Sequence, residues 1–351
     1  MRMNTNTHDN PAGLDGFAFL EFSGPDPSYI EHHLKQLGFT PVARHPTQAI
    51  TRYVQGQISF LVNSEPETQA ATHAKTHGPG ACAMGFYVEN AKKAYDHAIT
   101  AGAKPFKEGT SYSIPAIWAI GGSVIYFVEK DQSSLFYEST FVPFSNIPQS
   151  LKGAGLETID HLTHNVYRGN MDTWAKFYKD LFNFYQIRYF DIRGQKTGLI
   201  SRALSSPCGK IKIPLNEATD DKSQIEEFLE AYHGEGIQHI ALSAGNIYET
   251  VEKLRAGGMH FLEVPDTYFE MIPERLPWHT EDLPRLQKNK IIIDGDKTPE
   301  GGLLLQIFTE NMFGPAFFEI IQRKKNEGFG EGNFQALFES IERDQMRRGI
   351  I

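Results

Sequence analysis

Two histidines and one glutamate in the second half of the chain have the residue types of a metal site. They are His161, His239 and Glu319, and each lies in a short apolar segment with the composition of a strand. Because side chains alternate between the two faces of a strand, each of the three shares its face with small or apolar residues. Two imidazoles and one carboxylate are the protein ligands of mononuclear non-haem Fe(II) oxygenases, which keep further coordination positions open for substrate and O2. The three residues therefore predict one iron site.

The residues around Glu319 favour this interpretation. The glutamate lies in the sequence Phe-Phe-Glu-Ile-Ile, so a strand at this point buries its carboxylate among large apolar side chains. An ionised carboxylate that is buried without a partner costs several kcal/mol or stays protonated, and coordination to a cation removes that cost. A bound metal ion therefore explains a glutamate at this position.

His164 competes with His161 for the first ligand position. Their odd offset places the two side chains on opposite faces of a strand, so only one of them can join the other ligands. In sequence, the steps from His161 to His239 and from His239 to Glu319 are each about one structural module long. Neither the alternation nor the comparison with the first half of the chain decides between His161 and His164.

The two halves of the chain resemble each other, which indicates a duplicated design. Three pairs of segments match, namely residues 14–16 with 159–161, 83–106 with 239–261, and the Gly-Gly pair at 121–122 with that at 301–302. Each half contains repeated modules of a strand, a helix and several further strands, so the predicted class is α+β. Pro148, Gly153 and Gly155 cluster near residues 148–155 and predict a boundary there.

The first half lacks a complete set of metal ligands. In this alignment Gly16, Ala83 and Glu138 take the places of the three ligands, so both imidazoles are missing. A lone carboxylate does not make a transition-metal site. The sequence therefore predicts a first domain, residues 1–150, without metal ligands and a catalytic domain, residues 151–351, that carries the iron.

Polar side chains on neighbouring predicted strands favour a ligand pocket. Ser201, Asn216 and Gln306 each share a strand face with apolar residues, and Phe308 follows on the face of Gln306. An amide buried without a partner is costly, so an inward cluster of amides indicates a bound ligand or water. The alternative places these amides on edge strands that face solvent. Between the strands, the Pro-rich residues 264–286 predict a long loop with short helical turns.

The end of the chain predicts a cover for such a pocket. Glycines within residues 328–332 let Phe329 and Phe334 swing over a ligand, and an amphipathic helix follows at 333–347. The alternative is a plain linker. Just before this segment, Arg323 and the two lysines that follow it predict a short solvated surface cluster.

Composition narrows the class of protein. The 351 residues include 40% hydrophobic and 22% charged residues, as in ordinary globular proteins. A net charge of −9 argues against nucleic acid or an anionic membrane as a partner, because both require clustered Lys and Arg. The two cysteines lie far apart, no secretion signal is visible and the longest uncharged run is too short to span a bilayer. A cytoplasmic protein without a disulfide framework is expected.

Several stretches carry a family resemblance. They are Asp160-His161 and residues 206–217, 236–242, 305–309, 318–323 and 328–334. With these motifs the chain resembles the bacterial type of the 4-hydroxyphenylpyruvate dioxygenase family, within the vicinal-oxygen-chelate superfamily, over nearly its whole length. The resemblance implies two tandem vicinal-oxygen-chelate (glyoxalase/dioxygenase-like) domains of βαβββ modules, each an open barrel, with the C-terminal helix over the active site.

The resemblance also implies roles for single residues. His161, His239 and Glu319 match the ligands of one Fe(II) per chain. The positions that match the substrate pocket and its C-terminal gate are Ser201, Asn216, Gln224, Gln306, Phe308, Phe329, Asn333 and Phe334. The implied reaction uses a 2-oxo acid and O2: 4-hydroxyphenylpyruvate is converted to homogentisate and CO2 by oxidative decarboxylation, ring hydroxylation and side-chain migration, in tyrosine and phenylalanine degradation. No catalytic residue is implied beyond those that hold the metal or orient the substrate.

Two alternatives to this function remain, one within the same superfamily and one in a different functional class. A 4-hydroxymandelate synthase would use the same substrate and iron but would oxidise the benzylic carbon, and Asn216 after Pro214 favours the dioxygenase instead. A non-catalytic binding or pigment-associated protein would use the same double module without turnover. The resemblance also implies a homo-oligomer, either a dimer or a tetramer.

Overall fold

Two eight-stranded sheets, one in each half of the chain, form the fold. The structure is a computed structural model and describes residues 8–107, 111–193, 198–296, 298–333 and 336. The strands of the first half are β1 (Leu14–Ser23), β2 (Thr40–Arg44), β3 (Ile50–Gln55), β4 (Ile58–Asn63), β5 (Gly80–Val88), β6 (Ala116–Trp118), β7 (Val124–Glu129) and β8 (Val142–Pro143). Its helices are α1 (Pro27–Gln36), α2 (Gln69–His77), α3 (Ala91–Thr100) and α4 (Ser133–Thr140).

The second half repeats this arrangement. Its strands are β9 (Leu156–Val166), β10 (Tyr185–Arg193), β11 (Gly198–Ser205), β12 (Lys212–Ala218), β13 (Gly236–Ala244), β14 (Ile292–Gly295), β15 (Leu303–Phe308) and β16 (Phe317–Lys324). Its helices are α5 (Met171–Phe182), α6 (Gln224–Tyr232), α7 (Ile247–Ala256), α8 (Asp266–Arg275) and α9 (Leu283–Asn289). Apart from Asn333 and Ala336, the helix predicted at 333–347 lies outside the described residues.

Each sheet is built from two modules that meet at a central antiparallel pair. The strand orders are β6-β7-β5-β1-β4-β3-β2-β8 and β10-β11-β12-β9-β13-β16-β15-β14. In every module the last strand returns to lie parallel to the first, as β4 does beside β1 and β16 beside β13. The predicted α+β architecture of repeated βαβββ modules is confirmed. The domain limits at 1–150 and 151–351 stay a prediction.

The helices of the second half form where apolar spacing and capping residues agree. In α5 the residues Met171, Tyr178, Leu181 and Phe182 are buried on one face, and the helix ends at Asn183 in the left-handed conformation. Asn246 caps α7 by accepting a hydrogen bond from the Glu249 backbone N–H. These local signals define where α5 and α7 begin and end.

The loop predicted at residues 264–286 is instead largely helical. It contains the ten-residue helix α8 and the start of α9. Proline inside α8 weighed against a helix in the sequence, but Pro273 lies in its last turn, close to where the helix ends at Leu276. Tyr268, Phe269 and Ile272 are buried on one side of α8, so tertiary packing outweighs the weak local propensity.

Strand pairing corrects the alignment of the two halves. Ala241 on β13 pairs with His161 on one side and Glu319 on the other. In the first sheet Gly85 has the equivalent place, and it pairs with Phe19 and Tyr126. Phe19 and Tyr126 therefore correspond to His161 and Glu319, whereas the sequence comparison assigned these positions to Gly16 and Glu138.

Three features of the chain explain this error. The match of residues 14–16 with 159–161 is three residues out of frame, because Leu14 pairs with Val88 as Leu156 pairs with Ala244, so that Leu14 corresponds to Leu156. Glu138 is exposed on α4 and belongs to no strand. The Gly-Gly pairs at 121–122 and 301–302 precede strands at different places in their sheets. The first pair precedes β7, which lies beside the central pair of strands, as β16 does in the second sheet. The second pair precedes β15, which lies one strand further out. The match of Ala83 with His239 agrees with the pairing, since Ala83 pairs with Glu21 as His239 pairs with Thr163.

A carboxyl group is buried at the centre of the first sheet. Glu21 is 2% exposed, and its Oε1 accepts a hydrogen bond of 2.6 Å from the Asn63 amide, which also donates to the Ser111 hydroxyl. Burial raises the pKa of Glu21 to about 7, and the hydrogen bond from Asn63 offsets only part of that effect. No cationic side chain in the described part of the chain forms an ion pair with it.

We expect Glu21→Gln to remove a pH dependence of stability. The unfolded chain ionises this group near pH 4.5, whereas the folded protein keeps the proton until about pH 7. The free energy of unfolding of the wild type should therefore fall across that window, by up to about 3 kcal/mol at about 1.4 kcal/mol per pKa unit. Urea unfolding at several pH values, compared between wild type and variant, measures the difference. Parallel pH profiles of the two proteins would contradict the assignment.

Candidate metal centre

Three adjacent strands bring the predicted ligands together. His161 on β9, His239 on β13 and Glu319 on β16 offer ligand atoms that all lie within 4.8 Å of one another. The Glu319 Oε2 atom is 3.2 Å from Nε2 of His161 and 3.5 Å from Nε2 of His239. His161 and Glu319 are each 2% exposed, so the cluster is closed to bulk water on their side. This arrangement is a site that could hold one metal ion.

Hydrogen bonds orient both imidazoles. Nδ1 of His161 lies 2.8 Å from Oδ1 of Asp160, and Nδ1 of His239 lies 2.9 Å from Oε1 of Gln238. Each acceptor is the preceding residue and holds the proton on Nδ1, which leaves the Nε2 lone pair facing the centre of the cluster. Partners of this kind set the tautomer and ring orientation of metal-binding histidines.

A chain of hydrogen bonds holds the carboxylate. Gln306 donates from Nε2 to Oε1 of Glu319 at 2.8 Å, which leaves Oε2 directed toward the imidazoles. Gln306 in turn accepts from the Asn333 amide at 2.8 Å, and Asn333 accepts from the Tyr268 hydroxyl at 2.6 Å. Gln306 and Asn333 therefore hold the candidate ligand Glu319 in this structure, and their assignment to substrate binding stays a prediction.

The charges of the cluster suit a cation. Burial by itself would lower the pKa of His161, but the carboxylates of Glu319 and Asp160 outweigh it and raise that pKa. Burial would likewise raise the pKa of Glu319, but His161 and His239 outweigh it and keep that pKa low. Burial lowers the pKa of His239 to about 3, so this imidazole is neutral. One ionised carboxylate and two nitrogen donors around a single point match the donor set of a divalent metal.

His164 lies on the opposite face of β9. Its Nε2 is 2.8 Å from the Tyr178 hydroxyl of α5, and burial lowers the pKa of His164 to about 3. It is a neutral core histidine between the sheet and a helix. The choice between His161 and His164, which the sequence left open, is thus decided by which of them lies on the face of the sheet that carries His239 and Glu319, and that residue is His161.

An arginine behind the site was missed in the sequence. Arg323 donates to both oxygens of Asp160 at 2.8 Å, and its side chain is only 14% exposed. Its other nitrogen donates to the backbone carbonyl of Gly328 at 2.6 Å. The prediction that Arg323 belongs to a solvated surface cluster is therefore wrong, because a buried carboxylate and a loop carbonyl compete successfully with water. The arginine links the partner of His161 to the loop that carries Phe329.

Aromatic rings surround the imidazoles. The ring of Phe329 packs edge-on to His161 at 5.2 Å, and the ring of Phe308 lies 6.5 Å from His239. Phe317, which the sequence did not assign to the site, stacks on His239 at 5.0 Å. Its position two residues before Glu319 on the same strand was the signal that it shares the face of the ligand.

A row of polar side chains crosses three strands of the second sheet. Ser201 on β11 pairs with Asn216 on β12, which pairs with Asn165 on β9. Asn165 is fully buried, and both atoms of its amide lack a hydrogen-bond partner in the described part of the chain. It lies four residues after His161, and hence on the same face of β9. Alternation along the strand could have identified Asn165, which the sequence reasoning missed.

The remaining predicted site residues lie elsewhere. Gln224 is the first residue of α6 and is exposed, and no contact joins it to the metal cluster in the described residues. Phe334 lies outside the described residues. None of the helices in the described part of the chain is long and apolar enough to cross a membrane.

Comparison with known proteins identifies the family. A family model for the N-terminal region of hydroxyphenylpyruvate dioxygenase matches residues 8–142, and one for the glyoxalase/bleomycin resistance protein/dioxygenase superfamily matches residues 158–271. A 4-hydroxyphenylpyruvate dioxygenase from Legionella pneumophila is 61% identical over 346 residues, which cover 98% of both chains. The chain belongs to the 4-hydroxyphenylpyruvate dioxygenase family.

Solved structures show the same fold. One is a fusion of a xylose isomerase-like TIM barrel with a 4-hydroxyphenylpyruvate dioxygenase, with a TM-score of 0.81 and 29% identity. The match covers 97% of this chain and 55% of the fusion protein. A mutant of 4-hydroxymandelate synthase from Streptomyces coelicolor also has a TM-score of 0.81, at 24% identity over 95% of this chain and 99% of its own. The dioxygenase from Legionella pneumophila, at 61% identity, is therefore much more similar in sequence to this chain than the synthase is, at 24%.

We expect His161→Ala to abolish binding of a divalent metal, because it removes one of three nitrogen and oxygen donors at a single point. His164→Gln is the matched control, since it changes a buried histidine of the same strand on the opposite face. Metal content after anaerobic loading with Fe(II), together with circular dichroism of each variant, measures the effect. Full metal content in folded His161→Ala protein, or its loss in folded His164→Gln protein, would show that the ligands are different.

Proposed function

We propose that the protein converts 4-hydroxyphenylpyruvate and O2 to homogentisate and CO2 at a single Fe(II) held by His161, His239 and Glu319. The observation that carries the proposal is the meeting of these three side chains at one point, in a chain that is 61% identical to a 4-hydroxyphenylpyruvate dioxygenase. The catalytic unit is the second half, residues 151–351, and the first half, residues 1–150, carries no metal. The oligomeric state and the cytoplasmic location stay predictions.

The choice of iron follows from the donor set and from the reaction. Two imidazoles and one carboxylate occupy three positions and leave three open for a chelating 2-oxo acid and O2. Fe(II) supplies the capacity to bind and reduce O2 when it occupies such a site, which Zn(II) lacks because it has no redox chemistry. The absence of thiolate ligands among the three residues is also typical of an oxygenase and not of a structural zinc site.

The protein side chains act by orientation. Asp160 and Gln238 hold the two imidazoles in one tautomer, and Gln306 holds the carboxylate, so metal binding would require little more than that Nε2 of His239 give up its contact of 2.9 Å with the Thr163 hydroxyl. Arg323 fixes Asp160 through both of its oxygens. No side chain is required to take or give a proton at the reacting carbon atoms. These residues fix the three ligands, so the remaining coordination positions of the metal would stay open for the two reactants.

The substrate ring has apolar and polar neighbours that fit it. Phe329 and Phe308 next to the imidazoles provide apolar walls that exclude water from the reacting atoms. The row of Ser201, Asn216 and Asn165 lies at the other end of the same face, four residues and roughly 13 Å further along β9. We assign this row to the phenol hydroxyl of the substrate. An amide with no protein partner in the described residues is suited to a hydroxyl that both donates and accepts.

The 4-hydroxymandelate synthase reaction is the second candidate. The synthase shares the fold at a TM-score of 0.81, and its reaction would require a different placement of the substrate ring at the metal. The 61% identity to a dioxygenase, against 24% to the synthase, favours homogentisate. A non-catalytic role is opposed by the complete set of metal ligands and of the residues that orient them.

We expect the iron-loaded protein to consume one O2 and release one CO2 and one homogentisate for each 4-hydroxyphenylpyruvate. An oxygen electrode, CO2 trapping and chromatographic identification of the product measure the three quantities together. His161→Ala should lose all three. Hydroxymandelate as the sole product would establish the synthase reaction instead, and binding of the keto acid without O2 uptake would establish a non-catalytic role.

We expect Asn165→Leu to weaken binding of 4-hydroxyphenylpyruvate about three- to tenfold, because one hydrogen bond to the phenol is worth about 0.5–1.5 kcal/mol. Affinity for phenylpyruvate, which lacks the hydroxyl, should change little. Leucine has a similar shape and leaves no polar atom buried, so the fold should be kept. Anaerobic titrations of the iron-loaded variant and wild type with both keto acids test this. Equal weakening of the two would assign Asn165 a structural role.

A further inference from the structure

A second cavity, of about 800 Å³, lies between the first sheet and the start of the second. Its wall contains residues of β1, β3, β4 and α4, and residues 158–160 and Lys210 of the second half. None of the three metal ligands lines it. The volume falls within the range of about 300–1,000 Å³ that is typical of small-molecule sites. We call it the Arg52 cavity, after the charged side chain in its wall.

Arg52 lacks a counterion in this cavity. Its Nε donates to the Ser59 hydroxyl at 2.9 Å, and its guanidinium carbon lies 3.5 Å from the centre of the Tyr137 ring. In the part of the chain that the structure describes, no carboxylate forms an ion pair with Arg52. Burial lowers the pKa of Arg52, which shows that its charge is poorly compensated. A partly desolvated cation without a partner is a cost that an anion would remove.

Most of the other charges of the cavity wall are paired. Asp15 accepts from both Lys130 and Lys210, and Asp160 accepts from Arg323, which lies behind the wall. Lys212 forms an ion pair of 2.7 Å with Glu327. Asp131 also lines the cavity and is exposed to solvent. Within the described residues Arg52 is therefore the one lining cation that forms no ion pair with a carboxylate.

The rest of the wall suits a ring. Phe17, Val54 and Ile58 supply apolar surface, while Tyr87 and Tyr137 present aromatic rings with hydroxyl groups. Tyr137 donates its hydroxyl to the Ala18 carbonyl at 2.9 Å, so its ring is fixed beneath the guanidinium. A guanidinium is planar and presents its free N–H groups in one plane, the geometry that binds a carboxylate through two parallel hydrogen bonds.

We propose that the Arg52 cavity is a second ligand site that binds a small aromatic carboxylate, with the carboxylate on Arg52 and the ring against the apolar wall. The site belongs to the half of the chain that has Phe19, Ala83 and Tyr126 in place of metal ligands. Binding there requires neither iron nor turnover. The proposal therefore goes beyond the reaction proposed above and does not rest on it.

The test uses 4-hydroxybenzoate as the probe and the full-length protein, with binding measured by isothermal titration calorimetry. This probe carries a ring and a carboxylate but no 2-oxo group with which to chelate a metal. We expect one equivalent to bind, and we expect Arg52→Met to weaken binding at least tenfold while keeping an apolar stem over Tyr137. Arg52→Lys, which keeps the charge but not the planar fork, should fall between the two. Inorganic phosphate, which offers charge without a ring, should bind at least tenfold more weakly than the probe.

His161→Ala is the matched control for location, because it disrupts the candidate metal site at a residue that does not line the Arg52 cavity, while Arg323 still holds Asp160 of the cavity wall through both of its oxygens. Probe binding should be the same in this variant as in the wild type. Thermal unfolding of Arg52→Met should show a midpoint no lower than that of the wild type, since the variant removes an unpaired charge. Absence of binding at millimolar probe, equal binding by folded Arg52→Met protein, equal affinity for phosphate, or loss of binding in His161→Ala would each overturn the proposal.

Discussion

The second sheet is organised around one buried carboxylate. Glu319 lies on β16 with almost no exposure to solvent, and an ionised group at such a place is stable only when positive charge and hydrogen-bond donors surround it. The parallel pairing of β16 with β13 and the antiparallel pairing of β13 with β9 bring His161 and His239 to its Oε2 atom. Gln306 on the next strand satisfies the other oxygen. The order of the strands therefore brings the three candidate metal ligands together around this carboxylate.

The first sheet has the same arrangement of strands but no carboxylate at the position that corresponds to Glu319. Phe19, Ala83 and Tyr126 stand where the second sheet has its ligands, and the rings of Phe19 and Tyr126 pack with their centres 5.9 Å apart. Apolar packing thus fills the space of a metal site at no electrostatic cost. The buried carboxyl group of Glu21 lies next to this position. Burial raises the pKa of Glu21 to about 7, and no cationic side chain in the described residues forms an ion pair with it. The two halves therefore share one arrangement of strands, but the buried carboxylate of the second sheet has two imidazoles beside it, whereas the buried carboxyl group of the first sheet has no cationic partner among the described residues.

Much of this arrangement could be predicted, and the exceptions have physical reasons. The α+β class, the repeated modules and most helices of the second half follow from apolar periodicity and capping residues, which act locally. The alignment of the halves failed at Gly16 because a resemblance of three residues is too short to fix a register, which the pairing with the neighbouring strand sets. Helix α8 was missed because packing outweighed its weak propensity. Arg323 was misplaced because its partner, Asp160, is distant in sequence.

The sequence by itself determined which residue types were available for chemistry: two histidines and a glutamate in apolar strands, amides on neighbouring strands and a family motif around each. Alternation along a strand is a local rule, so it could say that His161 and His164 face opposite ways. Only the tertiary structure decided which of the two faces the candidate metal site, because the answer depends on which face of the sheet carries His239 and Glu319 and which packs against α5. It also decided that Arg52 lines a cavity and, among the described residues, forms no ion pair with a carboxylate. The partner of a charge is set by distances across the fold, which no local pattern contains.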